Sequence, residues 1–215
     1  IFNGSNFVYF NKYNSDSLKS IIKKNKITFT ILPSNYLSLI SKHLNKGNLR
    51  INKIVTAASA LTVYDKKKII KTGSNLYEMY GASEIGTVTS INFKKNLSKI
   101  KSVGKVIKEN EIKILGKNDN ILPIGEVGEI ICDAPLKFKY YYKKLSLTKK
   151  SFHKIYFKTG DLGYLDKNNF LYFVSRKQDV IISGGKNIYP IDIEKELNKI
   201  KFIKEAAVIG IKDKY

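Results

Sequence analysis

The feature that most constrains this chain is a change of pattern near residue 100. Before it, β-rich apolar runs alternate with stretches of helical periodicity, the arrangement that builds an α/β layer around a parallel sheet. After it, short apolar runs are separated by Gly, Asn and Asp turns, which reads as mostly β. A chain of 215 residues is long enough for one sizeable core and a second, smaller domain.

The first part can be read element by element. Leu18, Ile21 and Ile22 mark a short helix, and Ile27–Leu32 is a β-rich run that Pro33 breaks. Ser34 is positioned to N-cap a helix burying Leu37, Ile40 and Leu44. Ile54–Thr56 and Leu76–Tyr80 read as buried strands, with a Lys-rich helix around Asp65–Lys71 between them. In the second part, Glu111–Leu115, Gly128–Cys132 and Phe170–Val174 read as strands, and Asp166–Asn169 suits a hairpin turn. A last unit starts near Arg176: a strand at Val180–Ile182, a Gly184-Gly185 turn and a helix opening at Pro190. That helix presents Ile193, Leu197 and Ile200 at helical spacing, and Ala206–Ile211 follows as a further strand.

Composition narrows the class. No apolar run reaches the roughly 20 residues needed to span a bilayer. The opening Ile-Phe-Asn-Gly-Ser has neither the basic start nor the apolar run of a signal peptide. Cys132 is the only cysteine, so no intrachain disulfide forms, and a cytoplasmic location is the default expectation. The net charge of +21 fits a polyanionic partner, nucleic acid or an anionic membrane. However, Arg50 and Arg176 are the only arginines and the lysines are scattered along a chain rich in Asn, Ile and Tyr. Nucleic-acid readers favour Arg for bidentate contacts, so a lysine-rich surface without a nucleic-acid role is the expectation.

Three stretches carry candidate chemistry. In Tyr77-Glu-Met-Tyr-Gly-Ala-Ser-Glu-Ile-Gly86, a strand runs into a Gly turn that exposes a ring, a hydroxyl and a carboxylate together. Tyr80 can stack on a nucleobase, Ser83 can bind a phosphate oxygen and Glu84 can hold Mg²⁺, an ion bound through one or two carboxylates plus substrate phosphates. The same stretch is also compatible with an ordinary strand-to-loop turn. In Phe157-Lys-Thr-Gly-Asp-Leu-Gly-Tyr164, Asp161 sits in a Gly-flanked turn and can accept from two vicinal ribose hydroxyls, or be a structural β-turn residue. In Ser175–Glu194, Gly184 and Gly185 permit close backbone approach or positive φ. No Gly-Lys-Ser/Thr follows them, so a triphosphate cradle is not indicated there.

Together the three stretches resemble the adenylate-forming superfamily of acyl- and aryl-CoA synthetases, peptide-synthetase adenylation domains and luciferases. The family's Tyr-Gly-x-Thr-Glu segment is similar to Tyr80–Glu84, with Ser83 for Thr, and its Thr-Gly-Asp matches Thr159–Asp161. Its Arg-x-x-Asp-x-Ile-x-x-x-Gly-x-x-Ile-x-Pro-x-x-Ile-Glu stretch is met by Arg176–Glu194, and its Gly-Glu-x-Gly-Glu-Ile segment by Gly125–Ile130. The resemblance implies an α/β fold. Residues 1–175 would be the later part of the large N-terminal domain, α/β with a β-rich subdomain, and residues 176–215 the start of a small, mobile α+β C-terminal domain.

It also implies residue roles. Tyr80 would stack on adenine beside Gly81, with Ala58 and Ser59 in a small-residue loop at the same ring. Ser83 and Glu84 would be the catalytic pair serving the phosphates and Mg²⁺, and Asp161 and Arg176 would bind the ribose. Gln178 would be the hinge, where Asp or Lys is more usual, and Gly184 and Gly185 would line the CoA channel. The implied cofactors are ATP, Mg²⁺ and CoA, and the implied substrate a fatty or aryl carboxylic acid. The family's Ser/Thr/Gly-rich phosphate loop and its C-terminal catalytic Lys have no counterpart in these 215 residues, so the chain by itself is expected to release no pyrophosphate. The competing readings are an adenylation domain loading a carrier protein, a degenerate non-catalytic homologue, and a basic nucleic-acid-binding module without catalysis. Val180–Pro190 is more similar to CoA ligases than to the first of these.

Overall fold

A computed structural model describes residues 4–9, 15–41, 51–59, 61–203 and 205–211. The chain forms two compact units. The first takes in the residues up to Tyr80 and Thr89–Gly104, and the second takes in Gly81–Val88 and the residues from Lys105 onward.

The first unit alternates helix and strand: α1 (Ser15–Lys24), β1 (Phe29–Ile31), α2 (Ser34–Ser41), β2 (Lys53–Thr56), α3 (Val63–Lys71) and the start of β3 (Asn75–Ala82). β1, β2 and β3 pair in parallel, with Thr30 opposite Ile54 and Ile54 opposite Leu76. A parallel pair needs a crossover, and α2 and α3 supply the two. Leu18 and Ile22 of α1, Leu37 of α2, Ile54 of β2, Ile69 of α3 and Leu76 of β3 are buried. The expected α2 side chains at Ile40 and Leu44 lie outside the described residues. Ser34 is the first helical residue and not the cap, because Leu37 N–H donates to the Pro33 carbonyl. Thr62 is the cap of α3: its hydroxyl accepts from Asp65 N–H and donates to the Asp65 carboxylate, which also accepts from Ser38 and Ser41 of α2. One carboxylate thereby ties the two helices together.

Beneath that sits a buried ion pair. Lys66 of α3 and Glu78 of β3 are 2.5 Å apart, and both are almost wholly excluded from solvent. Glu78 Oε1 accepts from Leu61 N–H at 3.1 Å, and Lys66 Nζ donates to the Ile100 carbonyl at 3.1 Å while lying 4.4 Å from the centre of the Phe93 ring. Burial raises the pKa of Glu78 and lowers that of Lys66, and in each case the partner opposes the shift.

The second unit is an antiparallel sheet ordered β6 (Glu111–Leu115), β7 (Gly128–Asp133), β9 (Tyr156–Leu165), β10 (Phe170–Arg176), with β8 (Phe152–His153) also on β9. β4 (Gly86–Asn92) and β5 (Gly104–Val106) enter this unit through Gly86–Val88 and Lys105–Val106. Ile114, Ile130, Ile131, Cys132, Phe157 and Leu171 form its core. The expected β9–β10 hairpin is present. Asp166 Oδ1 accepts from the backbone N–H of Asn168 and Phe170, and Asn169 takes the positive φ of +60° that closes the turn. A six-residue helix α4 (Leu145–Lys150) precedes β8. Beyond β10 come a two-stranded hairpin, β11 (Ile181–Ser183) with β12 (Lys186–Ile188), and helix α5 (Pro190–Leu197) with Pro190 in its first turn. Gly184 and Gly185 take φ of +53° and +75° in the hairpin turn.

Two expectations are corrected here. Ala206–Ile211 pairs with no strand among the described residues; Val208 N–H is satisfied by the Glu194 carboxylate of α5 at 2.9 Å. The helix is also shorter than its apolar spacing: α5 ends at Leu197, which is half-buried, and Ile200, expected on the same helix, lies beyond it and is exposed.

The buried pair generates a test. Lys66→Met leaves Glu78 as an uncompensated buried carboxylate and is expected to cost about 3–5 kcal/mol in urea unfolding at neutral pH. Adding Glu78→Gln keeps an acceptor for Leu61 N–H and restores most of the loss. Burial raises the folded-state pKa of Glu78, so the folded state holds the proton more tightly than the unfolded one. The deficit of Lys66→Met is therefore smallest below the ordinary carboxylate value of 4.5 and grows as pH rises through the folded-state pKa. A deficit independent of pH would contradict the assignment.

Candidate functional site

The turn joining β3 to β4 carries the first group. At Gly81 the backbone folds so tightly that a Cβ would lie 2.0 Å from the Gly86 carbonyl oxygen, so no other residue fits. The turn is closed by Ile85 N–H donating to the Ala82 carbonyl at 3.1 Å, and Ser83 is exposed at its tip. Glu84 is half-buried and held twice by the segment after β7. Its carbonyl accepts from Phe138 N–H at 2.7 Å, and its Oε1 accepts from the Tyr141 hydroxyl at 2.8 Å. Tyr141 is fixed in turn. Its ring lies 4.6 Å from that of Phe138, which stacks on Phe152 and meets Phe157 edge-on, and its N–H donates to Thr148 Oγ1 at 3.0 Å. Burial, then the hydrogen bond and charge of Glu84, push the Tyr141 hydroxyl pKa up, so it remains a donor.

One oxygen of Glu84 is thus engaged by Tyr141 and the other is left for a ligand. Among the described residues no group of three or more His, Cys, Asp or Glu side chains forms a metal cage. A lone oriented carboxylate fits Mg²⁺, which takes one or two carboxylates and completes its shell with substrate phosphates and water.

The second group lies on the sheet. Asp161 was expected in a turn, but it sits inside the ten-residue strand β9. The turn-like Thr-Gly-Asp sequence makes a bulge: β7 advances from Glu129 to Ile131 while β9 goes from Leu162 to Lys158. Gly160, at φ +72°, provides the bend. Thr159 Oγ1 donates to the Ile130 carbonyl at 2.8 Å, and Asp161 N–H donates to Thr159 Oγ1 at 3.1 Å. A second irregularity, between Phe173 and Ser175, brings Arg176 opposite Asp161. Arg176 Nε and Asp161 Oδ1 are 3.0 Å apart; the carboxylate is buried and the guanidinium exposed. The next residue, Lys177, reaches Glu129 Oε2 of β7 at 2.6 Å. Two successive cations, Arg176 at the end of β10 and Lys177 just past it, therefore pair with carboxylates on the adjacent strand β9 and on β7 beyond it.

Beyond them Arg176, Gln178 and Gly184 line an open cleft of about 1270 Å³ together with Glu194 and Val208–Ile211. Gln178 lies in a single 3-10 turn (Lys177–Asp179).

The first unit holds the remaining residues. Ala58, at φ +81°, and Ser59 are exposed in the loop after β2. Ser34, itself buried, fixes that loop from below. Its hydroxyl contacts Thr56 Oγ1 at 3.1 Å and the carbonyls of Ala57 and Ser59. Tyr80 is half-buried on β3, two residues after Glu78.

Sequence reasoning named Glu84, Asp161 and Arg176 but missed what orients them. Tyr141 is the middle of three successive tyrosines, and nothing in the sequence marks which of them turns inward. Glu129 and Glu78 lay inside motifs without an assigned role, and Lys177 was one lysine among many. Only the bulges, which are tertiary features, reveal the pairing.

Comparison with known proteins identifies the family. The chain is 31% identical over 214 residues to 2-succinylbenzoate–CoA ligase of Bacillus licheniformis, covering 98% of the chain and 44% of that protein. It is 34% identical over 206 residues to a long-chain-fatty-acid–CoA ligase of Bacillus subtilis, covering 93% of the chain and 36% of that protein. It superposes on the o-succinylbenzoate CoA synthetase of Bacillus subtilis in complex with its acyl-adenylate intermediate with a TM-score of 0.84 at 29% identity, over 94% of the chain and 42% of that enzyme. The same enzyme with ATP and a magnesium ion gives 0.82. The chain thus spans less than half the length of the relatives it matches. Residues 1–142 match the AMP-binding enzyme family, and together with the motifs and the fold this makes the chain a member of that family.

Proposed function

We propose that this chain supplies the nucleotide- and metal-facing part of an ATP-dependent acid–thiol ligase with CoA as the acceptor. The observation that carries the reading is the continuity of the match. The chain aligns over nearly its whole length with a CoA ligase, and two of its motif carboxylates, Glu84 and Asp161, have partners in the fold. Tyr80, with the loop at Ala58 and Ser59, forms the adenine surface. Asp161 accepts the ribose hydroxyls, Arg176 flanks it, and Ser83 and Glu84 face the phosphates. Glu84 offers one carboxylate oxygen to Mg²⁺, which neutralises phosphate charge when bound.

The reaction has two balanced steps. A carboxylate oxygen attacks the α-phosphorus, the α–β phosphoanhydride bond breaks, and pyrophosphate leaves. A thiol, losing its proton, then attacks the acyl carbonyl, the bond to AMP breaks, and the thioester is released. The chain's own contribution is positioning and charge stabilisation. Gln178 serves as the hinge between the two steps, residues 176–215 move with it, and Gly184 and Gly185 line the thiol channel. The acid is aryl or fatty, the two classes named for its relatives. Loading of a carrier protein is less well supported, because the relatives are CoA ligases.

The protein carrying this chain is expected to release pyrophosphate from ATP and Mg²⁺ with either 2-succinylbenzoate or a long-chain fatty acid, and to form the CoA thioester. No carboxylate-dependent pyrophosphate with any acid of either class would sink the reading. The ribose contact is checked by comparing ATP with its 2′,3′-dideoxy analogue. The unmodified protein prefers ATP by about tenfold or more, and Asp161→Asn removes most of that preference. Tyr141→Phe leaves Glu84 unoriented. It is expected to raise the Mg²⁺ concentration needed for half-maximal activity about tenfold, with little change in the KM for ATP at saturating Mg²⁺. An unchanged Mg²⁺ dependence would show that Tyr141 does not orient the carboxylate.

A further inference from the structure

The segment that orients Glu84 has an outer side that the proposed chemistry does not use. Lys137–Lys150 reads Lys-Phe-Lys-Tyr-Tyr-Tyr-Lys-Lys-Leu-Ser-Leu-Thr-Lys-Lys, six lysines with no Asp or Glu. Its inner residues are accounted for: Phe138 and Tyr141 pack into the ring cluster, and Lys137 pairs with Asp133. Its outer residues are displayed. Tyr140 is 59% exposed, Tyr142 78% and Leu145 70%, and Leu147 is also exposed. Lys139, Lys143, Lys144, Lys149 and Lys150 are exposed around them, and among the described residues none of these five is ion-paired.

The presentation is rigid. Lys144 N–H donates to the Tyr141 carbonyl, Thr148 Oγ1 accepts from Tyr141 N–H, and Ser151 N–H closes α4 onto the Leu147 and Thr148 carbonyls. Lys143, at φ +53°, turns the chain, and its ammonium lies 5.3 Å from the Tyr142 ring. The result is a hydrogen-bonded segment that exposes Tyr140, Tyr142 and Leu145 among five lysines with no ion-pair partner among the described residues.

We propose that this segment docks on an anionic lipid bilayer. The chemistry matches the interface in two layers. Tyrosine and leucine suit the boundary between headgroups and acyl chains, and a surrounding cluster of unpaired lysines is drawn to an anionic leaflet. A nucleic-acid phosphate backbone would use the lysines but would leave Leu145, the more exposed of the two leucines, facing water, so the membrane accounts for more of the surface. No described helix is long and apolar enough to cross a membrane. The proposal does not depend on the ligase reading.

Tyr142→Trp places an indole on this segment, and Tyr64→Trp places one at an exposed tyrosine that also has a lysine over its ring; in the protein carrying this chain, the emission of each added indole is read as the difference from the unmodified protein. Both proteins are mixed with phosphatidylcholine vesicles with and without phosphatidylserine. The expected result is binding of both to the phosphatidylserine vesicles. Indole emission moves to shorter wavelength in the Tyr142→Trp protein and stays where it was in the Tyr64→Trp protein. Replacing Lys143, Lys144, Lys149 and Lys150 with Gln lowers vesicle affinity by at least about a hundredfold. The same replacement at the exposed Lys105, Lys108, Lys117 and Lys167 has far less effect. Equal loss from the two sets, or binding with no emission shift in the Tyr142→Trp protein, would reduce the effect to the overall charge and overturn the proposal. Patch-dependent binding of duplex DNA or single-stranded RNA without vesicle binding would overturn it in favour of a nucleic-acid surface.

Discussion

The buried pair of Lys66 and Glu78 is the constraint on which the first unit depends. Two charges taken out of water are tolerable only when each is matched and its remaining hydrogen-bonding capacity is used. Here the match fixes four separate pieces of chain: α3 through Lys66, β3 through Glu78, the loop after β2 through Leu61 N–H, and the Ile100 turn through its carbonyl. None of these can shift without stranding a charge. Glu78 also lies two residues before Tyr80, and Leu61 two after Ser59, so one carboxylate sets the register of both segments proposed to meet adenine. A wholly apolar core could be as stable, but it would tolerate sliding of the loop against the strand.

The second unit uses charge differently. Its carboxylates, Asp161 and Glu129, are buried on strands, while their cationic partners, Arg176 and Lys177, are exposed at a strand end. The anions are therefore fixed by the sheet, and the cations have the freedom to leave. Exposed partners contribute little to stability because water competes for them. What this asymmetry provides is exchangeability. In the ligase reading proposed above, Asp161 is the anion that stays in place on the sheet and Arg176 the partner free to move.

Much of this fold was legible in the sequence because it rests on local rules. The periodicity of Leu18, Ile21 and Ile22, the apolar run at Ile54–Thr56 and the Asp-Lys-Asn-Asn turn each appear where the pattern puts them. What was not legible is tertiary. Thr159-Gly160-Asp161 has the composition of a turn, but the strands on either side absorb it as a bulge, since Ile130 offers a carbonyl that Thr159 satisfies. Ser34 has the composition of an N-cap, but its hydroxyl is drawn to the 57–59 loop. Ala206–Ile211 has the composition of a strand, but a strand needs an edge to pair with. In the first two cases local preference gave way to a partner that only the fold could bring near; in the third no described strand pairs with the segment.

The same distinction applies to the charge. A net +21 says little about function while the lysines are counted together, since Lys66 is buried against Glu78, and Lys137 and Lys177 are engaged with carboxylates. Once the lysines with structural partners are set aside, what matters is where the rest cluster and what lies between them. Around residues 139–150 they surround exposed tyrosine and leucine, on a segment whose inner face orients Glu84 through Tyr141. Tyr140 and Tyr142 face outward from the same three-residue run in which Tyr141 faces inward. The exposed surface and the hydroxyl that holds Glu84 thus belong to one run of three tyrosines that the sequence could not tell apart.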